Sequence, residues 1–345
     1  MKSKFCRILV DESVVSESLQ VSTRFTSILN IRTGIFSLME RLLLENPNGL
    51  IYYKGPSEPY TNFVLSQNPK LKKFSDEVVD EVYYAKDFSV WGILGRISRQ
   101  ISDDLDLFKE NKKWSVKFKV KPDSYHVVGK SKHLFIHPSS VVYPNVVFDV
   151  SSGPIVIDKD VKITSFSFLE GPLYVGPNTH IDNARISGGC VIGSTCRLGG
   201  EIENSYIGNY TNKHHEGFLG HSFVGNWVNV GALATTSDLK NNYGIVKIQI
   251  GNASINTGTI KFGSIIGDFS KISIGTMLNT GCVIDVGSNI VAQRVNGYIS
   301  PFTWIEPQNR YKLDRFLEDT KKIMARRNVT LGPELEELIK SVYEL

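Results

Sequence analysis

The sequence predicts an α/β layer followed by a parallel β-helix, and three observations carry that prediction. From about Leu134 to Ile290, apolar residues recur every sixth position, most clearly at Ile260, Ile266, Ile272, Leu278, Ile284 and Ile290. The same stretch is rich in Gly, Asn, Ser, Val and Ile and has almost no helical pattern. Ahead of it, strand-like and helix-like patterns alternate, as in a layered α/β structure.

In the first region, FCRILV (Phe5 to Val10) reads as a buried strand. RTGIFSLMERLLLE (Arg32 to Glu45) reads as a helix, with Ile35, Leu38, Met39, Leu42 and Leu43 on one face. NPNG is a turn, and LIYYK (Leu50 to Lys54) is a second strand. A further helix is expected over about Val90 to Phe108.

In the second region, a period of six fits neither a lone helix nor an alternating strand. It fits a solenoid with short flat faces and a tight corner after each. Branched residues point inward, and the small residues beside them (Gly176, Gly193, Gly225) are expected to let the backbone turn. Other runs are Ile186, Ile192 and Leu198, and Phe218, Val224 and Val230. Stacked repeats then bury one continuous core.

The third region begins near Pro301. PFTWIEPQ carries two prolines and is expected to be a non-helical crossing. Helices follow over Tyr311 to Arg327 and about Pro333 to Tyr343, the latter with Thr330 as candidate cap. A solenoid end exposes core and backbone edges, so these helices are candidates to cap it or to pack on a neighbouring subunit. The expected domains are 1–125, 130–300 and 301–345.

The bulk numbers exclude some classes. Lys and Arg total 39 against 35 acids, and these charges are mixed along the chain. Nucleic-acid surfaces carry a concentrated basic stripe instead, so no nucleic-acid partner is expected. Cys6, Cys190, Cys196 and Cys282 lack metal-site spacing and read as free thiols. No stretch resembles a signal sequence or a membrane span, which makes the cytoplasm the expected location.

Regularity breaks twice, at GNYTNKHHEG between Ile207 and Phe218, and at GALATTSDLKNNYG after Val230. Insertions in a solenoid gather on one face, often the binding face. A histidine there is suited to take a proton from an attacking amine. Asn229, Asn241 and Asn242 are suited to orient a polar acceptor. The bland alternatives are an exposed His-His pair, and asparagines that only hold left-handed corners. Adjacent histidines seldom converge on one ion, and no metal is expected.

The segments NYTNKHHEGFLGHSFVGNWVNVGA (Asn209 to Ala232) and SDLKNNYG (Ser237 to Gly244) resemble a family of two-domain proteins related to the bifunctional enzyme GlmU. These are described as sugar nucleotidyltransferases with a hexapeptide-repeat C-terminal domain. The tail IMARRNVTLGPELEELIKSVYE and the segment STRFTSILNIRTGIFSLMERL are also similar to that family. The resemblance implies a left-handed coil with three hexapeptides per turn, a reduced nucleotidyltransferase-like N-terminal domain, and a homotrimer. It also implies transfer of an acyl group, most simply from acetyl-CoA, to the amine of a sugar phosphate or nucleotide sugar.

In the family pattern a base precedes Tyr-Leu-Gly. The matching Phe218, Leu219 and Gly220 place that base at His215, and Phe218 lacks the tyrosine hydroxyl. Asn229 matches the asparagine of Asn-Ile-Gly-Ala-Gly. Gly231 and Ala232 are retained, while Leu233 replaces the last glycine near the cofactor. Lys213 and Lys240 are candidates to meet a cofactor phosphate, and Tyr243 falls near the family's tyrosine-containing loop.

The first strand is followed by VDESVVSESLQ, which bears no glycine where active nucleotidyltransferases have a phosphate-binding Gly-rich loop. Arg24 and Arg32 are the nearest candidate phosphate contacts. Magnesium would be needed only if nucleotidyl transfer were retained. That activity and a non-catalytic trimeric scaffold binding sugar nucleotides are the alternatives.

Overall fold

The computed structural model describes residues 6–111, 125–305 and 309–345. Phe5 and the end of PFTWIEPQ therefore lie outside the described residues. The chain divides into two compact units, Met1–Ile31 with Phe36–Val90 and Tyr311–Leu345, and Arg32–Ile35 with Trp91–Arg310.

The first unit is an α/β layer. Strands β1 (Arg7–Asp11), β2 (Leu50–Lys54), β3 (Leu71–Lys73) and β4 (Glu81–Tyr84) form a parallel sheet in the order β3-β2-β1-β4. Ile8, Val10 and Tyr53 of the two middle strands are wholly buried, as their near-continuous apolar runs require. Helix α1 starts at Leu38 and ends at Glu45, later than the periodicity placed it. The cause is a capping box. Ser37 Oγ accepts from the Glu40 N–H at 3.2 Å, and Glu40 Oε2 accepts from the Ser37 N–H at 2.8 Å. Helix α2 spans Glu58–Gln67.

The tail helices fall within this unit. After α3 (Val90–Glu110) come α4 (Leu313–Ala325) and α5 (Pro333–Glu344), and α5 packs on α2 and α4. The tail read as a separate 301–345 segment thus groups with the N-terminal layer from Tyr311 onward. Gly332, not Thr330, occupies the N-cap of α5, and Pro333 begins the helix.

The second unit is a left-handed parallel β-helix, built of short strands that pair in parallel from coil to coil. One face runs from Leu134–Ile136 through Cys190–Ile192 to Tyr298–Ile299. Inward residues such as Ile157, Ile192, Val224 and Ile284 form one continuous buried core. Full burial of such a side chain contributes roughly 1.5–3 kcal/mol, which is what makes the six-residue period visible in sequence.

Two phases differ from the expected ones. Ile260 is 50% exposed and lies outside the coil, so the unbroken run starts at Ile266. Leu219, not Phe218, takes the inward position. The glycines also do a different job from the expected one. One column of corners is turned by residues with positive φ, among them Asn178, Thr195, Tyr210, Trp227 and Phe269. Gly176 and Gly193 allow close approach instead, since a Cβ on either would lie 2.7 Å from the backbone of the next coil.

Helix α3 lies along the coil. Trp91 meets Phe262 edge-on at 6.4 Å, and Phe108 meets Phe135 at 5.7 Å. Past Thr235–Thr236 the chain leaves the coil and makes an antiparallel hairpin, Lys247–Ile250 with Ala253–Asn256. It rejoins at Ile265–Ile266, which pairs with Phe223–Val224.

Candidate active site

The first break in the repeat is a widened corner. After Leu198 the chain spends Gly199, Gly200 and Glu201 before the next inward residue, Ile202. One coil later, after Lys213, it spends His214, His215, Glu216, Gly217 and Phe218 before Leu219. The extra residues push the two histidines outward, with ring centroids 5.1 Å apart.

His214 is fixed by a carboxylate two coils away. Its Nε2 lies 2.6 Å from Asp182 Oδ2. An ionised carboxylate only accepts, so Nε2 is the donor in this pair, and in the neutral ring Nδ1 keeps its lone pair. Gly199 sits between the two residues in register. A Cβ there would lie 2.0 Å from the His214 carbonyl oxygen, so only glycine fits this crossing. His215 is exposed beside this pair.

Lys213 is placed differently from its reading as a phosphate contact. It is 2% exposed and occupies an inward position between Leu198 and Val230. Its Nζ donates to the carbonyls of Gly199 and His215, each at 2.8 Å. Burial pushes its pKa down to about 8, against a smaller upward pull from Glu216. A small cavity beside it is lined by Phe218, Val230, Thr236 and Ile272 among others. An ammonium held inside the coil cannot meet a solvent-borne phosphate.

Phe218 is half-buried, and its ring crowds Gly220. A second histidine–carboxylate pair follows, His221 Nδ1 to Asp238 Oδ2 at 2.7 Å. Sequence reasoning missed Asp182, His221 and Asp238. Coil register was the signal that links each pair, since the partners are far apart in the chain.

Asn229 is exposed, and its Oδ1 accepts from Asn212 Nδ2 at 2.8 Å. Leu233 is 66% exposed at φ +62°, a conformation that favours glycine. Its N–H donates to the Glu216 carbonyl at 2.8 Å, so it is tied to the histidine corner. Ala232 precedes it, and its carbonyl accepts from Gly275 N–H of the following coil.

The remaining candidates are not gathered here. Lys240 Nζ donates to the Ile245 carbonyl at 2.9 Å within the excursion. Asn241, Asn242 and Tyr243 are exposed on the same loop, where Asn242 Oδ1 accepts from Gly244 N–H. Arg32 belongs to the β-helix unit, with its guanidinium 4.6 Å from the centre of the Tyr174 ring. Arg24 is partly buried in the N-terminal layer.

In the N-terminal layer, Glu12 follows β1 and is fully buried. It accepts from Tyr53 Oη at 2.6 Å, Ser27 Oγ at 2.9 Å and Ile28 N–H. Burial raises its pKa, and these hydrogen bonds oppose the rise. Among the described residues, no group of three or more His, Cys, Asp or Glu side chains is placed to hold a metal. No helix among them is long and apolar enough to cross a membrane.

No family model matches the chain. The bifunctional protein GlmU of Thermodesulfovibrio yellowstonii is 31% identical over 119 residues, covering 30% of this chain and 26% of the relative. The same-named protein of Thermotoga maritima is 30% identical over 140 residues, covering 39% of this chain and 28% of the relative. The relationship to GlmU-like proteins is distant and partial. The chain spans about a quarter of the length of these relatives. Among solved structures, PerB from Caulobacter crescentus, in complex with CoA and GDP-perosamine, is 13% identical over 85% of this chain and 91% of its own, with a TM-score of 0.17.

Proposed function

We propose that this protein transfers an acyl group from acyl-CoA, acetyl-CoA in the simplest case, to the amine of a sugar phosphate or nucleotide sugar. The observation that carries the reading is the widened corner, where His215 stands exposed beside the carboxylate-fixed His214. His215 takes the proton of the acceptor amine as its nitrogen attacks the thioester carbonyl. Bound acyl-CoA would supply the activated acyl group, and its C–S bond would break as the amide forms, the CoA sulfur leaving as the thiol with the proton that the histidine took up. Asn229 presents a polar side chain in the strand of the next coil. Leu233, Ile274 and Val291 expose apolar surface on successive coils, which suits the CoA arm. The coil assembles as a trimer in this reading, and Asn241, Asn242 and Tyr243 contact the acceptor.

One observation favours a second assignment of the base, because of the two corner histidines it is His214 whose ring is held by a carboxylate. Nucleotidyl transfer has little support. The end of β1, where a phosphate loop would lie, holds the buried Glu12 carboxyl instead.

Calorimetry with acetyl-CoA and thiol-release assays with a panel of amino-sugar phosphates test the proposal. Wild type is expected to bind and turn over, and His215→Ala to bind without turnover. Loss of turnover in His214→Ala alone would move the base to His214. A folded protein that binds no acetyl-CoA at millimolar concentration would remove the acyltransferase reading and leave the scaffold.

A further inference from the structure

Along one inner edge of the coil the inward residues are Ile181, Leu198, Lys213, Val230, Ile272 and Ile290. Every member but one is aliphatic. A lysine there is costly, since an ammonium taken out of water loses several kcal/mol of solvation before pairing returns any. An aliphatic residue would fill the same row without that cost. The lysine therefore does something that packing does not require.

Its contacts say what. Nζ reaches back to the Gly199 carbonyl and forward to the His215 carbonyl, each at 2.8 Å. The first acceptor belongs to the preceding coil. The second is the backbone of the exposed histidine itself. The two histidines are thus fastened in different ways: His214 through its ring, by Asp182, and His215 through its carbonyl, by Lys213. Gly199 serves both, with its bare Cα opening the crossing and its oxygen anchoring the ammonium.

We infer that Lys213 is a positioning residue, an internal tie that clamps the His215 corner to the preceding coil from inside the solenoid. The tie is a geometric claim about the corner. Its consequence for catalysis rests on the acyltransferase reading.

Lys213→Met tests it, because methionine keeps the stem and removes the donors. Hydrogen exchange of the backbone amides from His214 to Gly217 is followed by mass spectrometry, with the remaining coils as internal reference. A charge-assisted hydrogen bond lost from this corner is expected to speed exchange there roughly tenfold or more, leaving the reference coils unchanged. Lys213→Leu, matching its aliphatic neighbours, is expected to do the same and serves if the methionine variant does not fold. Unchanged exchange at the corner in a folded variant overturns the tie. Where turnover is measurable, kcat is expected to fall with KM little altered; equal loss in kcat/KM through KM alone would also overturn positioning. A loosened corner in a protein that never acylates any acceptor would keep the tie and discard the acyltransferase reading.

Discussion

A lysine inside a solenoid should leave a signature in the pH dependence of stability. Burial lowers the Lys213 pKa from 10.5 to about 8. Below about pH 8 the folded and unfolded chains both carry the ammonium, and the folded one bears its desolvation. Between about pH 8 and 10.5 the folded chain has lost this proton and the unfolded chain still binds it. Unfolding then takes up a proton, so raising the pH stabilises the fold by about 1.4 kcal/mol per pH unit. Over the accessible interval from about pH 8 to 9.5 this amounts to roughly 2 kcal/mol. Lys213→Met removes the group from both states, so other titrations cancel in the difference between variant and wild type. Urea denaturation of both proteins at several pH values measures that difference. The variant's advantage, or its smallest deficit, is expected near pH 7, with wild type gaining on it steadily above about pH 8. Parallel curves across this interval would refute a desolvated cation at this position.

Two further outcomes are expected. Ile284→Ala, at a wholly buried inward position between Ile266 and Ile299, should cost about 2–5 kcal/mol in chemical denaturation, because adjoining coils cannot close the cavity. Relative to Glu12→Gln, wild type should lose stability as pH rises above about 4.5. The folded pKa of Glu12 is raised, so its contribution is full while the carboxyl is protonated and declines as the carboxyl ionises, which calorimetry at successive pH values would show.

Local patterns were legible where burial alone set them. LIYYK reads as a buried strand and is one, over Leu50–Lys54. The row from Ile266 to Ile290 is inward throughout, as the six-residue period demands. Helix α1 began late because a capping box overrode the apolar stripe that reached back to Ile35. Ile260 matched the period by spacing alone, on the end of an excursion. Phe218 was off by one because the widened corner shifts the phase of everything between it and the next coil. Composition marked the glycines as turning residues, but their role emerges only when neighbouring coils are stacked.

The site was half legible for a related reason. The breaks in the repeat pointed to the histidine corner, since a solenoid varies where it does not have to pack. Partners across coils did not show. Asp182 and His214 meet two coils apart, and those coils hold different numbers of residues, so no fixed spacing links the pair. Lys213 was misread for the opposite cause. Lysine is a surface residue by habit, and beside two histidines it looked like a phosphate contact. Register makes it the sole charge in an aliphatic row. A position that breaks a local rule against the interest of stability needs a compensating use, and here the atoms that profit are the carbonyls that hold His215 in place.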